Sequence, residues 1–347
     1  MAQLFSPLTL RGLSLRNRIA MSPMCMYSAG EDGRATDFHL VHLAARAAGG
    51  VGLIITEATA VEARGRISVN DLGLWSDAQI EPLARIARLC KAQGAALCVQ
   101  LAHAGRKAWT PQKGTGPLPA VAPSAIPFDA DWVTPQELSR QEIDGIVSAF
   151  QSAATRAAAA GFDAIELHGA HGYLLHEFLS PITNRRSDEY GGAFENRARM
   201  LLRVVDAVRG VWPESRPLLV RLSCTEYIEG GLTLDDQVQM ARWLKAHAVD
   251  LVDCSSGAIT PALPPVGPGY QVPFAERIRR EAGIATMAVG MITTAEMAEE
   301  IVRNGRADVV AMGRELLRSP HWPLHAARAL GHDIEWPRQY QRAKPAA

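Results

Sequence analysis

The sequence predicts a (β/α)8 barrel, an α/β fold, with a long insertion between its third strand and third helix. Two observations carry this expectation. Eight short runs rich in apolar and β-branched residues recur along the chain, each followed by a stretch of helical character. The runs are continuously apolar, as strands covered on both faces must be, rather than alternating. The rival, an open doubly wound sheet, would carry GxGxxG after an early strand, and no such motif is there.

Strand one is RIAMSP (18–23); the pattern FHLVHLAARAAG after it is helical, and His39 and His42 within it read as packing or surface residues. Strand two is GLIITEA (52–58), and its helix stops at Gly94, where a left-handed residue is wanted. Strand three, ALCVQLA (96–102), leads into residues 103–138, which are rich in Pro and Gly. A loop of that length at this end of a barrel is expected to be a lid or pocket wall, with Trp109 as its anchor. Helix three follows over 139–160, with Ile143, Ile146, Val147 and Phe150 on one face, Ser139 and Glu142 as a capping box, and Gly161 at its end. Strands four and five are DAIELHG (163–169) and LLVRLS (218–223). Thr233 with Asp236, and Thr293 with Glu296, mark two later helix starts, and Gly305 a helix end. Strands six, seven and eight are DLVDCSS (250–256), TMAVG (286–290) and DVVAMG (308–313).

Composition narrows the function. Residues 1–347 read as one domain, with 48% apolar content to fill a large core and no internal repeat. The 36 basic and 36 acidic residues are spread evenly and sum to +0, which leaves no basic stripe for nucleic acid. No apolar run is long enough for a bilayer, and the N-terminus lacks a signal-peptide core. The five cysteines are odd in number and form no CxxC pair, so a reducing cytoplasm is the expected location.

In such barrels chemistry gathers at the C-terminal ends of the strands. Those ends carry Ser22, Pro23, Met24 and Cys25 after strand one, Glu57 and Ala58 after strand two, and Gln100 and His103 with strand three. His168 and His171 follow strand four, Arg221 lies in strand five, and Ser255, Ser256 and Gly257 end strand six. Gly290 and Gly313 end strands seven and eight, with Arg314 adjacent. Glycines and an arginine there suit a phosphate, because backbone N–H groups can approach an anion closely.

The stretch ELHGAHGYLLHEF packs His168, His171 and His176 among two carboxylates and Tyr173. It reads either as ligands for a metal-dependent barrel hydrolase or as hydrogen-bond donors and an acid around an organic substrate. Metal would not account for the phosphate-like end, for Arg221 or for Tyr173.

With these residues in view, the chain resembles the Old Yellow Enzyme family of flavin-dependent ene-reductases, in its bacterial thermophilic-like (class III) branch. The resemblance runs through LFSPLTLRGLSLRNRIAMSPMCMYS, AHAGRK, HGAHGYLLHEFLSPITNRRSDEYGG, ENRAR, VGMI, MGRELLRSP and QYQR. It implies a non-covalent FMN wrapped by Ser22, Pro23, Met24 and Cys25, with Ala58 and Gln100 at the ring's polar edge and Arg221 at its N1/O2 side. Gly290, Gly313 and Arg314 would grip the phosphate, with help from Ser256 and Gly257. His168 and His171 would hold a substrate carbonyl oxygen, and Tyr173 would protonate the α-carbon. Tyr27 would be a second active-site tyrosine, and Cys25 would touch both flavin and substrate where its bare chemistry suggests a small buried residue. Ile67 and the 103–138 loop would shape the pocket.

The reductant implied is NADPH or NADH, sharing the substrate pocket in alternate turns, and the acceptors are α,β-unsaturated carbonyls and some nitro compounds. The tail, 333–347, would carry Arg342 into a neighbouring subunit's site, implying a homodimer or homotetramer. An iron–sulfur dienoyl-CoA reductase relative would need cysteines beyond Cys254 and a further domain. A silent flavin-binding protein would not need the histidine pair and Tyr173.

Overall fold

The computed structural model describes residues 2–345; Met1, Ala346 and Ala347, expected at the ends of the single domain and its tail, lie outside the described residues. Eight parallel strands close on themselves: β1 (Ile19–Met21), β2 (Leu53–Ala60), β3 (Ala96–Ala102), β4 (Ala164–Gly169), β5 (Leu218–Ser223), β6 (Leu251–Ser255), β7 (Ala285–Ala288) and β8 (Val309–Met312). Each pairs with its neighbours in chain order, and β8 returns to β1. All eight expected strands are present, each inside or within two residues of its expected bounds. The barrel expectation therefore holds.

The covering helices are α1 (Asp37–Ala48), α2 (Ile80–Ala92), α3 (Arg140–Ala159), α4 (Phe194–Arg209), α5 (Leu234–Ala246), α6 (Val272–Ala282), α7 (Ala295–Arg303) and α8 (Trp322–Ala329). Helix α3 buries Ile143, Ile146, Val147 and Phe150, the face that its periodicity marks. Ser139 caps it by accepting the Glu142 N–H at 3.3 Å while Glu142 accepts the Ser139 N–H at 2.9 Å. Thr233 and Asp236 do the same for α5. For α7 the start slips by one: Thr294, not Thr293, accepts the Met297 N–H, because the Thr293 carbonyl instead takes the Trp322 indole N–H. Glu296 is left in the first turn, outside any capping box. Gly94, Gly161 and Gly305 follow their helices with φ of 80°, 82° and 68°, as expected.

Inside the barrel, Ala20, Leu53, Ile55, Cys98, Ala164, Leu219, Leu251, Met287, Val309 and Ala311 form one apolar plug. A short antiparallel hairpin, Leu8–Leu10 with Leu13–Leu15, seals it from below through Leu10 and Leu15. The apolar runs do not reveal this hairpin, since each of its strands is three residues long. Burying a leucine such as Leu15 contributes roughly 1.5–3 kcal/mol, so the seal helps hold the barrel as well as close it. Among the described residues, no helix is long and apolar enough to cross a membrane.

The insertion over 103–138 is braced rather than loose. It holds turns at Gly105–Lys107 and Thr110–Gln112 and a two-stranded parallel bridge of Val121–Ala122 with Gln136–Glu137. Trp109 is its buried anchor, its indole N–H donating to the Leu118 carbonyl at 2.9 Å.

Candidate active site

Above the apolar plug the inward-facing residues turn polar. Strand register sets Gln100 beside Glu166, His168 beside Arg221, and Arg221 beside Asp253. A register shift in β2 between Ile55 and Ala58 brings Ala58 level with Gln100. Upward-facing chemistry thus follows from the period-two alternation of four adjacent strands.

The upper face opens into two lobes that share Pro23 and Arg221. One lobe, about 400 Å3, is lined by Ser22, Met24, Gly290, Gly313 and Arg314. The other, about 330 Å3, is lined by Cys25, Tyr27, Ala58, Gln100, His168, His171 and Tyr173. Fifteen positions singled out from the sequence therefore meet in one continuous site. Four others stand elsewhere. Ser256 is turned into the wall, its hydroxyl donating to the Gln271 side-chain carbonyl at 2.6 Å, and Gly257 lines neither lobe; Ser255 lines the first lobe instead. Ile67 is buried beside Ala58 and Tyr173, at the flank of the second lobe. Arg342 is exposed in the turn Arg338–Ala343 and lines neither lobe of its own chain.

The turn after β4 aims the second lobe's residues. His171 has φ of 60° and Gly172 of 69°; a Cβ on Gly172 would lie 2.3 Å from the Ala258 carbonyl oxygen, so only glycine fits there. The His171 N–H donates to Ser223 Oγ at 2.9 Å, and Lys107 Nζ donates to the His171 carbonyl at 2.8 Å. Lys107 also stands 4.9 Å from the Tyr173 ring centre. The His168 ring meets the rings of His171 and Tyr173 edge-on, at 5.2 and 4.9 Å.

Burial, then the charge of Arg221, drives the imidazoles of His168 and His171 well below the usual histidine range, so both are neutral at pH 7. Burial holds the Tyr173 phenol well above its usual value, so it keeps its proton. Burial likewise pushes Tyr27 up to about 12 and raises the Cys25 thiol, which stays protonated. His168 Nδ1 is buried with no partner among the described residues. His171 Nε2 lies 2.6 Å from Ser255 Oγ, closer than that hydroxyl's 3.4 Å contact with Gln271. If the serine donates to Nε2, the other ring nitrogen, Nδ1, carries the imidazole's proton.

Three further histidines act as struts. His39 Nδ1 accepts the Thr36 N–H at 3.0 Å, so Nε2 carries the proton and donates to Glu57 at 3.0 Å. The other Glu57 oxygen accepts the Met26 N–H at 3.1 Å, which fixes the segment bearing Cys25 and Tyr27. His103 Nδ1 accepts the Gly105 N–H, and its Nε2 faces Glu62 at 2.8 Å; it is therefore buried in the wall rather than presented to the cavity. His176 Nδ1 accepts the Gly172 N–H at 2.8 Å, with Nε2 3.0 Å from Glu226. His176 points away from His168 and His171, and among the described residues no group of three His, Cys, Asp or Glu side chains is arranged to hold a metal. The metal-hydrolase alternative is not supported.

Sequence reasoning passed over Tyr270, Gln271 and Arg318, which all line the first lobe, and also Lys107. Arg318 was within reach, one helical turn beyond Arg314. The lobe's far end fits an anionic tail: Gly290 has φ of 130°, and Arg314 and Arg318 add two guanidiniums. Ser22 Oγ, buried without a partner among the described residues, adds a free hydroxyl. The shared middle, walled by Pro23 and Arg221 with Met24 beside it in the first lobe, fits a flat ring.

Residues 3–333 match the model of the NADH:flavin oxidoreductase / NADH oxidase family. The chain is 56% identical over 340 residues to an NADPH dehydrogenase of Geobacillus sp. (strain WCH70), covering 98% of each chain. It superposes on the old yellow enzyme homologue from Zymomonas mobilis with a TM-score of 0.80, at 27% identity and 99% coverage of both. It also superposes on 2-naphthoyl-CoA reductase with a TM-score of 0.88 at 25% identity, matching 95% of this chain but spanning about half, 52%, of that one. Fold, cavity and chain-long similarity define an oxidoreductase built on a (β/α)8 barrel. The chain belongs to the NADH:flavin oxidoreductase / NADH oxidase family, the Old Yellow Enzyme family that its sequence resembles.

Proposed function

We propose that the cavity holds FMN without a covalent link and that the protein reduces activated C=C bonds of α,β-unsaturated carbonyl compounds at the expense of NADPH or NADH. Some nitro compounds are within the same reach. The observation that carries this reading is the union of two chemistries in one cavity. A neutral histidine pair beside a protonated phenol adjoins, through Arg221, a lobe suited to an anionic tail. The family match to flavin oxidoreductases and the NADPH dehydrogenase relatives support the cofactor and the electron donor.

When bound, FMN supplies a hydride, taken from the nicotinamide, to the substrate's β-carbon. The remaining work belongs to the chain. Gly290, Gly313, Arg314 and Arg318 would hold the phosphate, Arg221 and Gln100 the polar edge of the ring, and Ser22, Pro23, Met24 and Cys25 its flank. His168 and His171 donate to the carbonyl oxygen and draw charge from the β-carbon. Tyr173 Oη gives its proton to the α-carbon. Tyr27, which is 54% exposed, stands at the mouth where a substrate passes. The insertion acts from behind the site, Lys107 holding the His171 carbonyl and facing the Tyr173 ring, and Arg342 would complete the site of a neighbouring subunit in a homodimer or homotetramer.

The test is anaerobic titration of the purified protein with NADPH and then with 2-cyclohexenone. Bleaching of a flavin absorbance by the first and its return with the second are expected. A protein without flavin, or one whose colour ignores NADPH, would sink the reading.

A further inference from the structure

Below the cavity floor, charged groups from three neighbouring strands meet in one buried layer of the barrel. Glu166 of β4 and Asp253 of β6 are both fully buried, with Arg221 of β5 between them. Arg221 Nε lies 2.9 Å from Asp253 Oδ2. Glu166 has no such partner. Its Oε1 accepts a hydrogen bond from the neutral amide of Gln100 at 2.8 Å, and its Oε2 is buried without a partner among the described residues.

One guanidinium thus faces two carboxyl groups. The layer can keep one carboxylate ionised against Arg221, but a second, unpaired charge is driven to take a proton. Burial raises both carboxyl groups, and the 2.9 Å approach of Arg221 to Asp253 favours the charge on Asp253 and the proton on Glu166. Burial, and next the charge of Asp253, push Glu166 up to about 8. The groups facing it are Cys98 and Gln100 of β3, Arg221 of β5 and Asp253 of β6, with His168 on its own strand kept neutral. No cation besides Arg221 is among the causes that move it.

We infer that Glu166 is a neutral acid under the cofactor site and exchanges its proton with solvent as the charge in the cavity above changes. This rests on the reading that FMN binds there. Hydride from NAD(P)H brings two electrons and one proton into the cavity, a net charge of −1. That charge disfavours a carboxylate beneath it, so Glu166 keeps its proton to higher pH. On the alkaline side of about 8, a solvent proton joins the carboxylate as the hydride arrives. The same proton returns to solvent when the hydride leaves for the substrate. Below that pH Glu166 is protonated throughout and nothing is exchanged.

Two measurements on the holoenzyme test this: the infrared band of a buried carboxylic acid, and the reduction potential of bound FMN across neutral and alkaline pH. The wild-type minus Glu166→Gln difference spectrum should show one such band that fades at alkaline pH, while the buried Glu177, raised likewise, cancels. One extra proton per two electrons should steepen the wild-type potential by about 30 mV per pH unit on the alkaline side. Glu166→Gln, which mimics the protonated acid, should lose that extra slope and keep the neutral-pH potential. Asp253→Asn hands Arg221 to Glu166, so its band should vanish even at neutral pH. A difference spectrum without that band, or equal slopes in the two proteins, overturns the inference. A chain that binds no FMN would refute the proposed function instead, and the band of the colourless protein would still report on Glu166.

Discussion

The histidines at the top of this barrel divide into two sets with opposite bonding. His39, His103 and His176 each take a backbone N–H on Nδ1 and have a carboxylate within 3.0 Å of Nε2. Among the described residues His168 and His171 have no such carboxylate; His168 keeps a buried nitrogen without a partner, and the His171 ring meets a serine hydroxyl. A saturated imidazole is a brace, because a second partner fixes its ring and leaves no donor to offer. An unsaturated one in a dry cavity holds a donor in reserve, and accepts the cost of an unmet polar atom until a ligand arrives. The difference lies in what surrounds each ring and not in the residue itself.

Breaking the unsaturated set should have the largest effect, and a kinetic one. Replacing His168 and His171 together by Ala should slow enone reduction by roughly two to four orders of magnitude while FMN stays bound. Steady-state rates and flavin absorbance check this. Tyr173→Phe removes the acid but not the polarising pair, so reduction should fall by about a hundredfold with phenol binding largely kept. Single-turnover reoxidation by 2-cyclohexenone separates the two variants.

Breaking a brace should instead register in stability. His39→Ala leaves the Glu57 carboxylate, 4% exposed, with one partner fewer, which costs about 1–3 kcal/mol. Denaturant unfolding should show the loss, with flavin content preserved. The smallest effect concerns pH. The folded state holds His168 and His171 neutral by burial, whereas the unfolded chain protonates them near pH 6.5. Their depressed values mean that stability is full above about pH 6.5 and declines as pH falls below it. The double alanine variant should lose part of that acid-side decline, read from melting temperature against pH.

The two sets also mark what a sequence can and cannot disclose. His168, His171 and Tyr173 were legible because they sit at the end of one apolar run, where a barrel gathers its chemistry. His39, on α1, read as packing because its meaning depends on Glu57, 18 residues away on β2. His103 read as a cavity residue for the same reason: only the fold brings Glu62 to its ring. The Thr293 to Thr294 slip shows the limit of local rules, since a distant indole claimed the carbonyl of the expected cap. Ser255 was named as a strand end, but help with the phosphate was given to Ser256 and Gly257, one step further on, although period-two counting from Asp253 favours Ser255.

The hairpin of Leu8–Leu10 and Leu13–Leu15 makes the barrel a cup with a corked base. A vessel of that shape opens at its rim. On the proposed function, electron donor and acceptor would share the cavity in turn, so each would be the other's competitor. Crowding by either one should stall the cycle, and the throughput of the protein is governed at its rim as much as by the chemistry beneath.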